Sequence, residues 1–388
     1  MNVHESERLR VMLERAGFAA AGGAEDADVI IFQTCAIRNT AEQKIITHIN
    51  EARKAMRRMR NETNEVNFGR IKEKKRVIAV IGCLSAYKEV KGVDIVLGTN
   101  ELEKLVALLT TPRNHPPSLR EVPLQGGELN SFGVGNSVII THGCENFCAY
   151  CVVPYVRGKE FSRDIADVEA EFEQIKHPPP PAGAPPFARG EIGLQVSAAG
   201  GQPRVVWLLG QNVNSYKCPR TGAGFVALLD RLCAKDGGFQ INFMSSHPKD
   251  FSTELVDCIA RNGKIERNIH LPLQSGCDKI LRAMNRRYTA AEYTAKIELL
   301  RKKVPGVRIT TDIICGFPGE TEADFAETVE TVKRIGFNAA FIFPYSRRSG
   351  TAADKLPDQV DHATKKRRAT ELIAVQRGIS KLFADFCH

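Results

Sequence analysis

Ser137-Val-Ile-Ile-Thr-His-Gly-Cys144-Glu-Asn-Phe-Cys148-Ala-Tyr-Cys151 decides the reading of this chain, because it runs an apolar strand directly into three closely spaced cysteines. Val138 to Ile140 has the continuous apolar character of a buried strand, and the cysteines follow its carboxyl end. Where parallel strands alternate with helices, those carboxyl ends gather at one mouth and the working residues sit there. Thiolates spaced Cys-x3-Cys-x2-Cys can hold three irons of a four-iron cluster and leave the fourth without a protein ligand. An iron with a vacant position is able to hold a cofactor directly. Two plainer readings stand beside this one: three structural thiols, or a zinc site completed by His142 or another neighbour. Core thiols are not usually gathered three to a loop, and structural zinc normally shows two separated ligand pairs.

Outward from this loop, strand and helix patterns alternate. Strands are predicted at Val138-Ile140, Val205-Leu209, Ile241-Met244, His270-Leu273, Ile309-Ile314 and Ala340-Phe343, which together predict a partial β/α barrel. Its strand ends carry unusual polar residues: Cys144, then Gln211 and Asn212, then Ser245, Ser246 and His247, then Gln274, Gly316 and Tyr345. Toward the amino end, the helical spacing of Leu9, Met12 and Leu13, the strands Val29-Phe32, Val77-Ile81 and Ile95-Leu97, and a helix from Leu102 to Leu109 predict a separate open parallel sheet. The expected organisation is an N-terminal domain over residues 1–112, a linker over 113–133, a barrel over 134–360 and a C-terminal helix over 361–388. The segment from His177 to Gln202 is rich in proline, glycine and alanine and reads as a disordered insertion with polyproline II character.

The 388-residue chain has 43% hydrophobic and 26% charged residues, a globular profile. It shows neither a signal peptide nor an apolar run long enough for a bilayer, so the expected location is cytoplasmic, without a membrane. Eleven cysteines, an odd number, argue against a disulfide framework. A net charge of +9 suits a polyanionic partner. Basic runs from Arg53 to Arg76 and from Lys365 to Arg368 can hold phosphates or simply form solvated helix faces.

The segment from Gly143 to Arg163 resembles the core of the radical S-adenosylmethionine methylthiotransferases. So do Leu208-Leu-Gly-Gln-Asn-Val-Asn-Ser-Tyr216, Ser245-Ser-His-Pro248, His270-Leu-Pro-Leu-Gln-Ser-Gly276, Asp312-Ile-Ile-Cys-Gly-Phe-Pro-Gly-Glu-Thr321 and Tyr345-Ser-Arg-Arg-Ser-Gly-Thr351. The resemblance covers nearly the whole chain and is nearest to the MiaB branch, which modifies an isopentenyl-type adenosine beside the tRNA anticodon. It implies a 4Fe-4S cluster on Cys144, Cys148 and Cys151 that cleaves S-adenosylmethionine. Tyr150, Gln211, Asn212, Gln274 and Asp312 are then the candidate cofactor-binding residues; the Gly316-Phe-Pro-Gly-Glu320 turn, placed between an apolar strand and a helix as an anion-binding turn would be but without the lysine and spacing of a phosphate loop, falls in the same neighbourhood.

The resemblance further implies a second, auxiliary 4Fe-4S cluster on Cys35, Cys83 and an earlier cysteine. The chain as written begins Met1-Asn2, so the expectation is an N-terminal sheet lacking its first strand and an auxiliary cluster with an incomplete ligand set. It ends at Cys387-His388, so the family's C-terminal RNA-binding β-barrel is expected to be absent. Expected partners are tRNA, an external electron donor and a sulfur source, with the protein a monomer. Methylthiolation of a ribosomal protein aspartate and a non-catalytic, metal-stabilised RNA-binding module are the alternatives.

Overall fold

Val77 to Ile81, almost entirely β-branched and at most 5% exposed, can only be a strand covered on both faces, and it forms the middle of the first sheet. In the computed structural model, which describes residues 2–34, 39–62, 77–85, 90–110, 136–176 and 204–385, this sheet comprises β1 (Val29–Thr34), β2 (Val77–Gly82) and β3 (Ile95–Leu97). They run parallel in the order β1-β2-β3. The helices α1 (Asn2–Arg15), α2 (Asn39–Glu62) and α3 (Leu102–Thr110) accompany them. Leu9 of α1 and Leu102 and Leu105 of α3 close a small core over Ala79, Ile81 and Leu97. Cys35, the basic residues from Arg70 to Arg76, the expected linker 113–133, the proline-rich segment 177–202 and Cys387-His388 lie outside the described residues.

The second part begins with β4 (Ser137–Ile139), followed by β5 (Thr141–His142), α4 (Val153–Arg157), β6 (Phe161–Ser162) and α5 (Ile165–Lys176). It continues through β7 (Arg204–Leu209), α6 (Phe225–Cys233), β8 (Phe239–Phe243), α7 (Thr253–Arg261), β9 (Asn268–His270), α8 (Asp278–Ala283) and α9 (Ala290–Lys303). It closes with β10 (Arg308–Cys315), α10 (Glu322–Ile335), β11 (Ala339–Pro344) and α11 (His362–Asp385). The expected six strands are present as two parallel ladders of three, β4-β7-β8 and β9-β10-β11, each in chain order. The ladders join where Ile241 donates to Lys264 O at 2.7 Å and accepts from Glu266 N at 2.9 Å.

β10 shows how the sheet divides its faces. Ile309, Thr311, Ile313 and Cys315 are buried, whereas Thr310, Asp312 and Ile314 are half-buried. Ile309, Ile313 and Cys315 join a core shared with Phe172, Leu208, Ile241, Tyr293, Phe337 and Leu372, so one apolar layer spans both ladders and their helices. The opposite face is left for chemistry. β9 is shorter than the sequence suggests, ending at His270 instead of Leu273, because Pro272 has no N–H to give the ladder. Leu273 N turns to the Thr311 hydroxyl at 2.8 Å, and pairing resumes only at Gln274.

Helix starts are locally specified. Thr321 and Asp324 form a reciprocal capping box on α10, and Thr289 and Glu292 form another on α9, each satisfying amide donors that have no partner within the helix.

Candidate active site at the cysteine loop

Gly143 opens the loop with φ +70, and its missing side chain matters because a Cβ there would run into the backbone of Gly158 and Lys159. That close approach lets β5 pair antiparallel with β6 and lets Cys144 N reach Gly158 O at 3.3 Å. Cys151 N then closes a turn onto Cys148 O at 2.9 Å, and Pro154 in the first turn of α4, where no amide donor is needed, starts the helix that carries the chain away. Gly143→Ala should therefore cost at least about 1–2 kcal/mol from backbone strain alone, read as a lower urea midpoint together with poorer iron retention.

The loop is clamped from two sides. Ala149 N donates to Met284 O at 3.0 Å, and Ala149 O accepts from Ala353 N at 2.8 Å. Asn285 Nδ2 donates to Asn146 O and Phe147 O at 3.2 and 3.0 Å. Two sulfurs accept directed hydrogen bonds, Cys144 Sγ from Asn146 Nδ2 at 3.4 Å and Cys148 Sγ from Arg286 Nη1 at 3.3 Å. All three cysteines are half-buried. Burial pushes the Cys144 thiol up and the Cys151 thiol up to about 12, and neighbouring thiols add to both shifts.

The three thiols thus share one clamped loop. Among the described residues, however, no three His, Cys, Asp or Glu side chains converge tightly enough for a single metal ion. In a cubane each thiolate takes its own iron, so cluster ligands stand further apart than the ligands of one tetrahedral zinc. The donor set fits the cluster better than zinc. His142 does not complete a metal group; its ring stacks on Phe161 at 5.0 Å, and burial lowers its pKa to about 3.

Around the strand ends, several buried polar atoms have no partner among the described residues: Ser246 Oγ, His247 Nε2, Gln274 Oε1 and the Tyr345 hydroxyl. Such atoms are expensive unless a ligand or water satisfies them. His247 Nδ1 accepts from Lys249 N at 3.2 Å, and burial lowers the ring's pKa to about 2. The ring is therefore neutral and carries its proton on Nε2, a donor with nothing to bond. Ser245 and Gln274, in the segments that follow β8 and β9, hold left-handed φ values of +68 and +71, a strain typical of positions selected for a site.

The other expected cofactor residues are placed differently. Tyr150 packs with Ala149, Met284, Phe317 and Tyr345 beneath the loop. Gln211 is half-buried at the end of β7. Asp312 lies on the open face of β10 with His270 Nε2 at 3.4 Å. Asn212 spends both ends of its amide on the protein, donating to Asp250 at 2.6 Å and accepting from His247 N at 3.1 Å, so it ties two strand-end loops together. In the Gly316-Phe-Pro-Gly-Glu320 turn, Gly316 N already donates to Glu320 Oε2 at 2.6 Å, so the anion at this turn is internal.

Cys83 is fully buried just past β2, packed on Val152 and on Val156 of α4. Arg157 Nε donates to its sulfur at 3.3 Å, while the same guanidinium pairs with Glu5 at 2.9 Å and reaches Asn2 at 3.0 Å.

A family model described as the radical SAM superfamily matches residues 189–332, and one described as uncharacterized protein family UPF0004 matches residues 1–98. The tRNA-2-methylthio-N(6)-dimethylallyladenosine synthase of Natranaerobius thermophilus is 36% identical over 98% of this chain and 80% of its own length. Its namesake from Thermoanaerobacter pseudethanolicus is 38% identical over 98% of this chain and 76% of its own. The chain belongs to the tRNA-2-methylthio-N(6)-dimethylallyladenosine synthase family.

As a radical SAM protein it uses a 4Fe-4S cluster and S-adenosylmethionine. The fold has a solved counterpart in the radical S-adenosylmethionine methyltransferase TsrM from Kitasatospora setae, 12% identical with a TM-score of 0.54 over 89% of this chain and 68% of that one. The superfamily match begins beyond the cysteine loop, so the loop's place at a strand end and its clamps are structural information independent of that match. Sequence reasoning missed Asn285, Arg286 and Arg157, which grip the sulfurs and their loop. The only trace of the first two is a pair of arginines just past a short helix.

Proposed function

We propose that this chain transfers a methylthio group to the adenine ring of an isopentenyl-type adenosine beside the tRNA anticodon. The reading is supported above all by a clamped three-thiol loop past a strand end, in a chain whose other strand ends carry buried polar atoms without a partner among the described residues and which aligns with synthases along nearly all its length. Cys144, Cys148 and Cys151 would hold the cluster, Gly143 and the Asn285 amide would fix the loop, and Asn146 and Arg286 would orient two of the ligands. When bound, the cluster and S-adenosylmethionine supply an electron to a sulfonium and, from it, a carbon radical able to remove hydrogen from the adenine ring.

Around that chemistry the protein's own groups bind and orient. His247 Nε2–H is a donor and Gln274 Oε1 an acceptor for the polar parts of the cofactor; Gln211, Asp312 and Tyr150 line the same region. The largely buried strand ends limit water near a reactive carbon. Replacing C–H by C–S–CH3 requires a sulfur source, a methyl donor and an external electron donor. Cys83, with Cys35, is proposed to contribute ligands to an auxiliary cluster that presents this sulfur.

We place the protein as a monomer in the cytoplasm, with its tRNA substrate; no helix among the described residues is long and apolar enough to cross a membrane. Anaerobic reconstitution with iron, sulfide, S-adenosylmethionine and isopentenylated tRNA, followed by mass analysis of the nucleosides, should give the methylthio product. Cofactor cleavage with unmodified tRNA would overturn the assignment.

A further inference from the structure

Met284 to Tyr288 is a turn moulded on the cysteine loop. Its first carbonyl takes Ala149 N, Asn285 takes two loop carbonyls, and Arg286 takes Cys148 Sγ. The turn keeps this shape under strain, with Asn285 at φ +57 and Arg287 at φ +48, and Arg287 lacks the local hydrogen bonding that makes the left-handed region easy for asparagine.

Arg286 is 4% exposed. Its remaining donors go to the Tyr288 hydroxyl at 2.9 Å and Pro272 O at 3.1 Å, both uncharged. Among the described residues it has no carboxylate partner, in contrast to the buried Arg157 and Arg368, which pair with Glu5 and Glu320. A guanidinium cannot escape this burial by losing its proton, so it calls for a negative charge nearby. The sulfur 3.3 Å away is the one group in its shell that becomes anionic on binding metal.

We infer that Arg286 is a positioning residue whose guanidinium is the counter-charge of the cluster held through Cys148, orienting that ligand and raising the cluster's reduction potential. The inference rests on the cluster reading given above. A cation in a low-dielectric site favours the more negative, reduced cluster, and N–H···S hydrogen bonds act in the same direction. Tyr288, which donates to Leu273 O at 2.7 Å, ties this counter-charge to the segment that follows β9, so the potential is set by the same unit that positions Gln274.

The test uses the full chain, reconstituted anaerobically without tRNA, with iron and sulfide analysis and a redox titration followed by electron paramagnetic resonance. Arg286→Met should make reduction at least tenfold less favourable, 59 mV for a one-electron couple. Arg286→Lys should recover most of that loss, and the exposed control Lys302→Met should match the unsubstituted protein. Iron lost from Arg286→Met but kept by Arg286→Lys supports the same conclusion, because charge is what those variants differ in. An unshifted potential in an iron-replete Arg286→Met protein would overturn the inference, as would equal iron loss in both variants. If the unsubstituted chain takes up no iron, the cluster reading itself fails and this inference with it.

Discussion

Cys148→Ala should lose the iron of the cluster loop and release no 5′-deoxyadenosine from S-adenosylmethionine above background. The effect is expected to be all-or-none because the loop supplies every protein ligand, and hydrogen bonding cannot replace an iron–sulfur bond. Cys258→Ala provides the contrast. That thiol is fully buried and hydrogen-bonds to Asp230 at 3.4 Å, so its loss should cost about 1–3 kcal/mol as a buried polar contact and leave iron content unchanged. Cys83→Ala is predicted to remove a separate iron fraction while cofactor cleavage persists, because Cys83 is not one of the loop's three thiols and packs instead on Val152 and Val156. Iron analysis, the 5′-deoxyadenosine assay and urea unfolding distinguish the three variants. Full cleavage activity in Cys148→Ala would contradict the site.

The strands and the gathering of their ends were legible because a buried parallel strand needs a continuous apolar run and a polar break after it, and both are written locally. Cys144, Cys148 and Cys151 stand out in the sequence for a related reason, since ligands supplied to a cluster by one loop would leave such a short, fixed spacing. Asn212 shows where such reading stops. Its position past β7 suggested a cofactor contact, yet both ends of its amide bind Asp250 and His247, partners that only the fold brings near. Arg286 and Arg157 are the reverse case. Nothing in their local sequence distinguishes them from surface arginines, and their burial against sulfur depends on elements far away in the chain. The glycine turn after β10 had the composition of an anion site, but the anion is Glu320, four residues on. Local chemistry announces what a segment can bind; tertiary packing decides what it does bind.

That internal carboxylate carries the second large prediction. Glu320 accepts from Gly316 N at 2.6 Å and from Arg368 Nη1 at 2.8 Å, and the two side chains are 1% and 4% exposed. Arg368 also donates to Glu320 O at 3.0 Å and to Glu322 at 2.7 Å, so this guanidinium fastens α11 to the start of α10. Arg368→Met fills the space but strands a buried carboxylate, for which the expected destabilisation is about 3–5 kcal/mol. Burial already holds the Glu320 carboxyl above its usual range despite Arg368 and the Gly316 amide. Without Arg368 its pKa must rise further.

A carboxyl with a raised folded-state pKa binds a proton on folding, so its stability contribution is fully present below the unfolded pKa and is lost as pH rises through the folded pKa. The variant's deficit, read from urea midpoints by far-UV circular dichroism, should therefore be largest near pH 8 and shrink toward pH 5. Glu320→Gln combined with Arg368→Met should regain most of the loss at pH 8, since an amide can be buried without a counter-charge and can still accept from Gly316 N. A deficit that is independent of pH, or a double variant no more stable than the single one, would mean that α11 is held by Leu372 and its apolar neighbours alone and that the ion pair contributes nothing to its docking.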